Sequence, residues 1–263
     1  MRKLISLLIV VGIIFAVGPV QAKDWKVIRV ATEGAYPPFS SITADGILVG
    51  FDVDISKALV KAMGAEIELM SQDWDGIIPA LLARKYDAII ASMSITEERK
   101  KKVAFTNKYY QTPAKFICKK GSMKDFTRAE VAQATKGKRI GVQRATIHDN
   151  FITEQGAKDA VIKRYGTQDD AYMDLKAGRV DMLLADSVVI DDGFLKKPEG
   201  KDYAFIGPDL TETNYFGEGI GIACRKKDKD LVELFNKAID QIRADGTYKK
   251  IQDKYFDFNV FGE

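Results

Sequence analysis

The order of the predicted secondary-structure elements is the feature that most constrains the fold. Short β-type runs alternate with helical runs along the chain from residue 27 onward. The first series predicts strands over 27–31, 66–70 and 88–91, separated by helices over 54–63 and 77–84. A βαβαβ order is typical of a parallel sheet with helices on its faces. The sequence therefore predicts an α/β fold.

The alternation starts again after residues 109–113, which predicts a second lobe. The second series predicts strands over 115–118, 139–142, 160–164 and 180–185, and helices over 126–134, 147–155 and 169–177. Two such series in one chain predict two α/β lobes.

The apolar run 219–224 predicts a strand that returns the chain to the first lobe, with helices over 229–244 and 248–254 after it. The chain then crosses between the lobes twice, near 111–114 and near 215–219. We therefore expect lobe 1 to comprise 23–111 and 217–263, lobe 2 to comprise 112–216, and two strands to form the hinge between them.

The N-terminal residues have the composition of a secretory signal peptide. Arg2 and Lys3 precede an almost wholly apolar run over 4–17, and Val20 and Ala22 are small residues at the positions that a signal peptidase reads. We expect cleavage after Ala22, so residues 1–22 are left out of the fold prediction. An uncleaved membrane anchor is the alternative, although the run is short for a membrane span.

Charge and cysteine content exclude several classes of partner and cofactor. Loss of Arg2 and Lys3 lowers the formal net charge from +3 to +1, and a nearly neutral chain does not favour a nucleic-acid partner. The two cysteines, Cys118 and Cys224, each end an apolar run, so we expect buried, unpaired thiols. With His148 as the single histidine, we expect no metal site and no cofactor.

Topology selects the candidate site. Ligands of open α/β sheets bind at the carboxyl ends of the strands. The segments just after the predicted strands are 33–36, 72–74, 91–99, 143–146 and Asp186.

The segment 92–99 has the pattern of an anion-binding helix start. Thr96 is a good N-cap, which places Arg99 in the first turn, where the helix dipole disfavours a cation. The Ser94 and Thr96 hydroxyls, the backbone N–H groups and the guanidinium together suit a carboxylate. The same pattern is compatible with a capped surface helix that carries a solvated arginine.

The other strand-end residues complement a small zwitterion with an additional positive charge. Arg99 offers a cation, Glu33 and Asp186 offer anions, and Tyr36 and Trp74 offer aromatic faces for a cationic side chain. The alternatives are a solvated Glu33, a helix-capping Asp186 and aromatic side chains that belong to the core. No nucleophile–base pair or phosphate-binding loop is present.

With these residues in hand, the chain resembles the periplasmic solute-binding proteins of polar amino acid ABC transporters, in particular the lysine/arginine/ornithine- and histidine-binding branch. The segments that carry the resemblance are 31–40, 50–54, 74–79, 92–99, 141–143, 178–181, Asp186, 245–248 and 254–256. The resemblance implies a two-lobed type II periplasmic binding protein fold that closes on an L-amino acid. It also implies a periplasmic protein, which we expect to be a monomer, and an inner-membrane ABC permease as partner.

The resemblance also implies a role for individual residues. By position, Arg99 takes the ligand's α-carboxylate with help from Ser94 and Thr146, and Asp186 takes the α-ammonium group with help from Ser92. Glu33 faces the distal cation, and Tyr36 and Trp74 hold the side chain. The complete candidate ligand-binding set is Glu33, Tyr36, Trp74, Ala91, Ser92, Ser94, Arg99, Gln143, Thr146, Ile147 and Asp186.

The chain departs from that branch at several positions. Ala91 stands where relatives often carry serine, and Glu33 replaces the usual aspartate. The turn 144–148 replaces a Gly-Ser-Thr-Gln-like turn, and Val60 and Ile67 stand in place of a cysteine pair found in some relatives.

We therefore expect an exported receptor, not an enzyme, that binds arginine, lysine, ornithine or histidine, which the sequence does not rank. An opine or neutral polar amino acid receptor is one alternative. A dehydratase-type enzyme on the same scaffold is another, and Glu33 and His148 are its only candidates for proton transfer. A sensor domain is a third.

Overall fold

The structure, a computed structural model, describes residues 24–262. The predicted signal peptide and its cleavage site lie outside the described residues. Within 24–262, no helix has the length and apolar character that crossing a bilayer requires.

The described chain contains thirteen strands and ten α-helices. In chain order the strands are β1 (Val27–Thr32), β2 (Ala35–Tyr36), β3 (Ser40–Ile42), β4 (Leu48–Val49), β5 (Glu66–Ser71), β6 (Ala88–Ile89), β7 (Ala104–Tyr110), β8 (Ala114–Lys119), β9 (Arg139–Gln143), β10 (Val161–Tyr165), β11 (Met182–Asp186), β12 (Tyr203–Leu210) and β13 (Ile220–Cys224). The helices are α1 (Phe51–Ala62), α2 (Trp74–Leu82), α3 (Glu97–Lys100), α4 (Val131–Ala134), α5 (Ile147–Gln155), α6 (Gln168–Lys176), α7 (Ser187–Ile190), α8 (Thr213–Phe216), α9 (Lys229–Ala244) and α10 (Thr247–Tyr255). Short 3-10 or π turns cover Arg128–Glu130, Asp191–Leu195 and Pro198–Gly200.

Two five-stranded sheets form the centres of two α/β lobes, as predicted. The first has the order β5-β1-β6-β13-β7 and the second the order β10-β9-β11-β8-β12. In the first sheet β5, β1 and β6 are parallel, and β13 runs antiparallel to both of its neighbours, β6 and β7. In the second sheet β10, β9 and β11 are parallel, and β8 runs antiparallel to both of its neighbours, β11 and β12. The parallel arrangement predicted for the first βαβαβ series is confirmed in β1, β5 and β6. The strands β8 and β13 run antiparallel to β11 and β6 because they enter their sheets directly from the other lobe and not through a crossover helix.

The chain passes between the sheets at two places. Residues 111–113 connect β7 of the first sheet to β8 of the second, and the stretch from 211 to 219 leads from β12 back to β13. These two connections form the hinge.

Both faces of each sheet are covered by helices. On β1, Ile28 and Val30 face the core formed with α1, α9 and α10, whereas Ala31 faces the core formed with α2. The second sheet packs against α5 and α8 on one face and against α6 and α7 on the other. These strands bury apolar side chains on both faces, which explains why their sequences are continuous apolar runs without an alternating pattern.

The bounds predicted for the helices agree with the structure to different degrees. Helices 147–155 and 229–244 are confirmed residue for residue as α5 and α9. The helix predicted over 126–134 begins only at Arg128, because the Thr127 hydroxyl and N–H both bond the Glu130 carboxylate at 2.8 Å and so define the helix start. Phe126 instead packs edge-on against Phe116 in the core.

Several strands were not predicted. β2, β3 and β4 form a separate small sheet and are too short to show a period. β12 contains Gly207 and Pro208 and has an irregular register against β8, so it lacks a strand signature.

Candidate functional site

A cavity lies between the two lobes, and it brings together most of the predicted site. Ten of the eleven predicted residues line it, together with His148: Glu33, Tyr36, Trp74, Ala91, Ser92, Ser94, Arg99, Gln143, Thr146 and Ile147. A second cavity adjoins it and is lined in part by Asp186. The two cavities share the side chains of Tyr36, Ser92, Ser94, Ile147 and His148. That these residues contact a ligand remains a prediction.

Arg99 is held at the start of a short helix, as the sequence predicts. The Thr96 hydroxyl caps α3 by accepting a hydrogen bond from the Arg99 N–H at 3.3 Å. The guanidinium donates to the Ser94 carbonyl at 3.0 Å and lies over the Trp74 ring, 5.2 Å from its centroid. Burial lowers the pKa of Arg99 to about 10, so the group stays charged at neutral pH.

The Arg99 guanidinium has no carboxylate partner among residues 24–262. Among the described residues, the Ser94 carbonyl is the one acceptor that its five donors bond. A buried cation is normally paired. The cavity is therefore equipped to receive an anion beside Arg99.

Glu33 is the buried acid on the other side of the cavity. It follows β1 directly and is only 8% exposed. Its carboxylate accepts a hydrogen bond from the Gln143 amide of the second lobe at 2.5 Å. Burial raises the pKa of Glu33 to about 7, and the nearby charges of Asp73, Asp75 and Asp169 act in the same direction against the Gln143 hydrogen bond.

The two predicted aromatic residues occupy different positions in the cavity wall. Tyr36 lies in β2 and is buried, whereas Trp74 is the first residue of α2 and is half-buried. The indole N–H of Trp74 donates to the Ala145 carbonyl of the second lobe at 3.1 Å. Trp74 therefore joins the lobes in addition to facing the cavity.

Asp186 combines two of the roles considered for it. It is the last residue of β11, and its Oδ1 caps α7 by accepting the N–H groups of Val188 and Val189 at 2.9 and 3.2 Å. Its Oδ2 accepts a hydrogen bond from the Thr112 hydroxyl of the hinge. Burial raises the pKa of Asp186 to about 6 despite these bonds. The carboxylate thus lines the second cavity and caps a helix.

Asp52 supports the site but was not predicted to do so. It is fully buried in α1 and accepts hydrogen bonds from the Ser92 N–H at 2.7 Å, the Ser92 hydroxyl at 3.0 Å and the Tyr109 hydroxyl at 2.8 Å. Ser92 has a φ of 52°, a conformation that is unfavourable for a residue other than glycine. Asp52 lies on the same apolar face of α1 as Ile55 and Leu59. This spacing is the sequence signal that could have identified Asp52 as a buried acid.

The rim of the cavity also joins the lobes. The turn after β9 supplies these contacts, with Arg144 paired to Asp75 at 2.6 Å and the Ala145 carbonyl bonded to Trp74. Asn150 of α5 donates to Glu98 at 3.4 Å. These three contacts join the lobes in addition to the hydrogen bond between Gln143 and Glu33.

Metal and thiol chemistry have no visible basis in this part of the chain. Among residues 24–262, no group of three or more histidine, cysteine or acidic side chains is arranged to hold a metal ion. Cys118 and Cys224 are buried and unpaired, as expected.

Two α/β lobes on a two-strand hinge, with a charged and aromatic cavity between them, define a protein that holds a small polar molecule. Residues 28–258 match the bacterial extracellular solute-binding proteins, family 3, and the chain belongs to this family.

Individual relatives are similar over nearly the whole chain. An L-arginine-binding protein of Pseudomonas aeruginosa is 51% identical over 245 residues, which is 93% of each chain. The lysine/arginine/ornithine-binding periplasmic protein of Escherichia coli is 40% identical over 263 residues, covering 100% of this chain and 99% of that one. The solved structure of an ancestral arginine-binding protein bound to glutamine superposes with a TM-score of 0.80 at 36% identity, covering 89% of this chain and 99% of that chain.

Proposed function

We propose that the protein is a periplasmic receptor that binds a basic L-amino acid between its lobes and delivers it to an inner-membrane ABC permease. The observation that carries this proposal is the placement of Arg99 and Glu33, a cation and an anion, in the wall of one cavity. A basic amino acid has the complementary charges at its two ends. The relatives are an L-arginine-binding protein and a lysine/arginine/ornithine-binding protein, which supports the same ligand class.

In this proposal, each charged group of the ligand is bound by particular residues of the cavity wall. Arg99 receives the α-carboxylate with Ser94 and the backbone around Thr146, whose hydroxyl donates to the Gln143 carbonyl at 2.7 Å. Asp186 receives the α-ammonium group, and Glu33 receives the distal cation. Because these groups come from both lobes, the ligand completes its contacts only when the lobes are closed and thereby stabilises the closed state. The protein acts as a monomer in this proposal.

A neutral polar amino acid is the second candidate ligand class. The raised pKa of Glu33 leaves a substantial protonated fraction near neutral pH, and a protonated carboxyl can hydrogen-bond an uncharged side chain. The ancestral arginine-binding structure with glutamine bound is consistent with such tolerance.

A catalytic role is not part of the proposal. A dehydratase needs a group that transfers a proton in the cleft, and Glu33 is the acid with the most suitable pKa. Its only hydrogen-bonded side-chain partner among residues 24–262 is the Gln143 amide, which is not a proton-transfer group. The site is therefore better suited to binding.

A thermal-shift panel tests the proposal. The mature protein is unfolded and refolded to remove carried-over ligand, then heated with each of the twenty L-amino acids, ornithine, citrulline and opines. A ligand that binds only the folded state raises the unfolding midpoint. Selective shifts with basic amino acids support the proposal. Shifts only with neutral or opine ligands contradict the ligand class, and no shift with any compound contradicts the receptor function.

A further inference from the structure

His148 is a buried polar side chain with no partner, and it faces both interlobe cavities. It is the only histidine in the chain, the second residue of α5, and 7% exposed. Its ring makes no hydrogen bond or ion pair with any residue in 24–262. The ring lies near the aromatic ring of Phe216, with 6.3 Å between the two centroids. Buried polar groups are normally hydrogen-bonded. An unpartnered imidazole in a cavity wall therefore has a donor and an acceptor to offer to a ligand.

The surroundings of His148 keep its ring uncharged. Burial lowers the pKa of His148 to about 3, and the positive charge of Arg99 acts in the same direction. The N-terminal end of α5 also disfavours a cation at this position. The nearest acid along the helix, Asp149, is engaged by Arg164 at 2.8 Å and by the Ala145 N–H. A neutral imidazole has one N–H donor and one acceptor nitrogen.

We propose that His148 binds the ligand directly by donating a hydrogen bond to its α-carboxylate, beside Arg99. This inference rests on the proposed function, which supplies the carboxylate. A neutral ring adds a donor to the anion subsite without placing a second positive charge next to the guanidinium. His148 thereby becomes a specificity-determining residue that favours ligands with a free carboxylate.

Calorimetry with two ligands and two variants tests this contact. L-Arginine carries the carboxylate and agmatine lacks it, while the rest of the side chain is the same. His148→Leu removes the donor at similar size, and His148→Gln retains a polar donor. We expect His148→Leu to weaken L-arginine binding by about tenfold or more and to leave agmatine binding nearly unchanged. His148→Gln should retain most of the L-arginine affinity.

Nuclear magnetic resonance provides a second readout that a purely structural role would not affect. Because the chain has a single histidine, an untagged protein labelled with ¹⁵N gives ring signals that belong to His148 alone. L-Arginine should shift these signals, and agmatine should leave them nearly in place.

The outcomes separate this inference from the proposed function. If wild-type protein binds L-arginine while its ring signals do not move, or if His148→Leu and His148→Gln both retain wild-type affinity, the His148 contact is wrong and the receptor function stands. Equal weakening of L-arginine and agmatine by His148→Leu also contradicts the contact, because it indicates a structural role. If no basic amino acid binds the wild-type protein, the proposed function fails and the inference fails with it.

Discussion

The Gln143 amide of the second lobe donates a hydrogen bond of 2.5 Å to the Glu33 carboxylate of the first lobe, within the wall of the cavity. This bond satisfies a buried acid and joins the lobes at the same point. A cationic ligand side chain would compete with Gln143 for the same carboxylate. Ligand charge, lobe contact and the ionisation of Glu33 are therefore coupled.

The first prediction concerns ligand charge. Glu33→Gln keeps the size of the side chain and removes its negative charge, so it should weaken L-arginine and L-lysine binding by about tenfold to a hundredfold. Neutral ligands such as L-glutamine should change far less. Asp73→Asn is the matched control, because Asp73 influences Glu33 only through its charge and does not line the cavity. Calorimetric affinities that fall equally for cationic and neutral ligands would remove Glu33 from the selectivity role.

The second prediction concerns pH. Burial raises the pKa of Glu33 to about 7 and that of Asp186 to about 6, so both free-protein acids become protonated as the pH falls. A cationic ligand favours the ionised forms, which means that binding below these pKa values releases protons. L-Arginine affinity should therefore be flat above about pH 8 and should fall by up to about tenfold per pH unit between about pH 7 and pH 6, where Glu33 is the main acid that protonates. The fall should steepen below about pH 6, where Asp186 is protonated as well.

The Glu33→Gln variant supplies the control for this pH dependence. Its L-arginine affinity should stay flat down to about pH 7, one unit above the pKa of Asp186, and should fall only below that pH. Calorimetry over this range in two buffers of different ionisation enthalpy measures the proton release. An L-arginine affinity that rises as the pH falls would contradict the coupling.

The third prediction concerns the support of Ser92. Asp52→Ala leaves the Ser92 N–H and the Tyr109 hydroxyl without their buried acceptor and should lower the free energy of unfolding by about 2–4 kcal/mol. Asp54→Ala, in the same helix, removes a half-exposed acid paired with Lys254 and should cost less than about 1 kcal/mol. Urea denaturation measures both. Similar losses in the two variants would show that the Asp52 network carries no special stability.

The fourth prediction concerns the rim pair of Arg144 and Asp75. Their side chains are 51% and 43% exposed, so the pair is worth at most about 1 kcal/mol, or about fivefold in affinity. The charge of Asp75 also raises the pKa of Glu33, so the comparison is made above about pH 8, where Glu33 is ionised in every variant. There Arg144→Gln and Asp75→Asn should weaken L-arginine and L-lysine by the same small factor, and the double variant should be no weaker than either single variant. High salt should remove the difference. A ligand-selective effect would mean that Arg144 contacts the ligand itself.

Sequence periodicity predicted the two lobes because most strands are buried on both faces and most helices have a clear apolar stripe. It predicted α5 and α9 residue for residue because each helix has a distinct start signal or a regular apolar face. It did not predict β12, whose Gly207 and Pro208 interrupt the strand pattern. It predicted the parallel strands of the first lobe from their βαβαβ order, but it did not predict the antiparallel direction of β8 and β13, since strand direction at the hinge depends on the path of the chain between lobes.

The candidate site was predictable where topology alone selects residues. The strand-end rule and the resemblance selected the ten residues that the structure places around the first cavity, and Asp186 lies in the adjoining one. Asp52 and His148 were assigned no binding role. The position of Asp52 on the apolar face of α1 marks it as a buried acid, but no local pattern reports that Ser92 is its partner or that His148 lines the same cavity as Arg99.

The most direct test of the central claim is a crystal structure of the refolded mature protein grown with L-arginine. We predict that the amino acid lies between the lobes with its α-carboxylate on the Arg99 guanidinium, its α-ammonium group on Asp186 and its guanidinium facing Glu33. An L-arginine molecule bound in the reverse orientation, or outside the cavity lined by Arg99 and Glu33, would contradict the account.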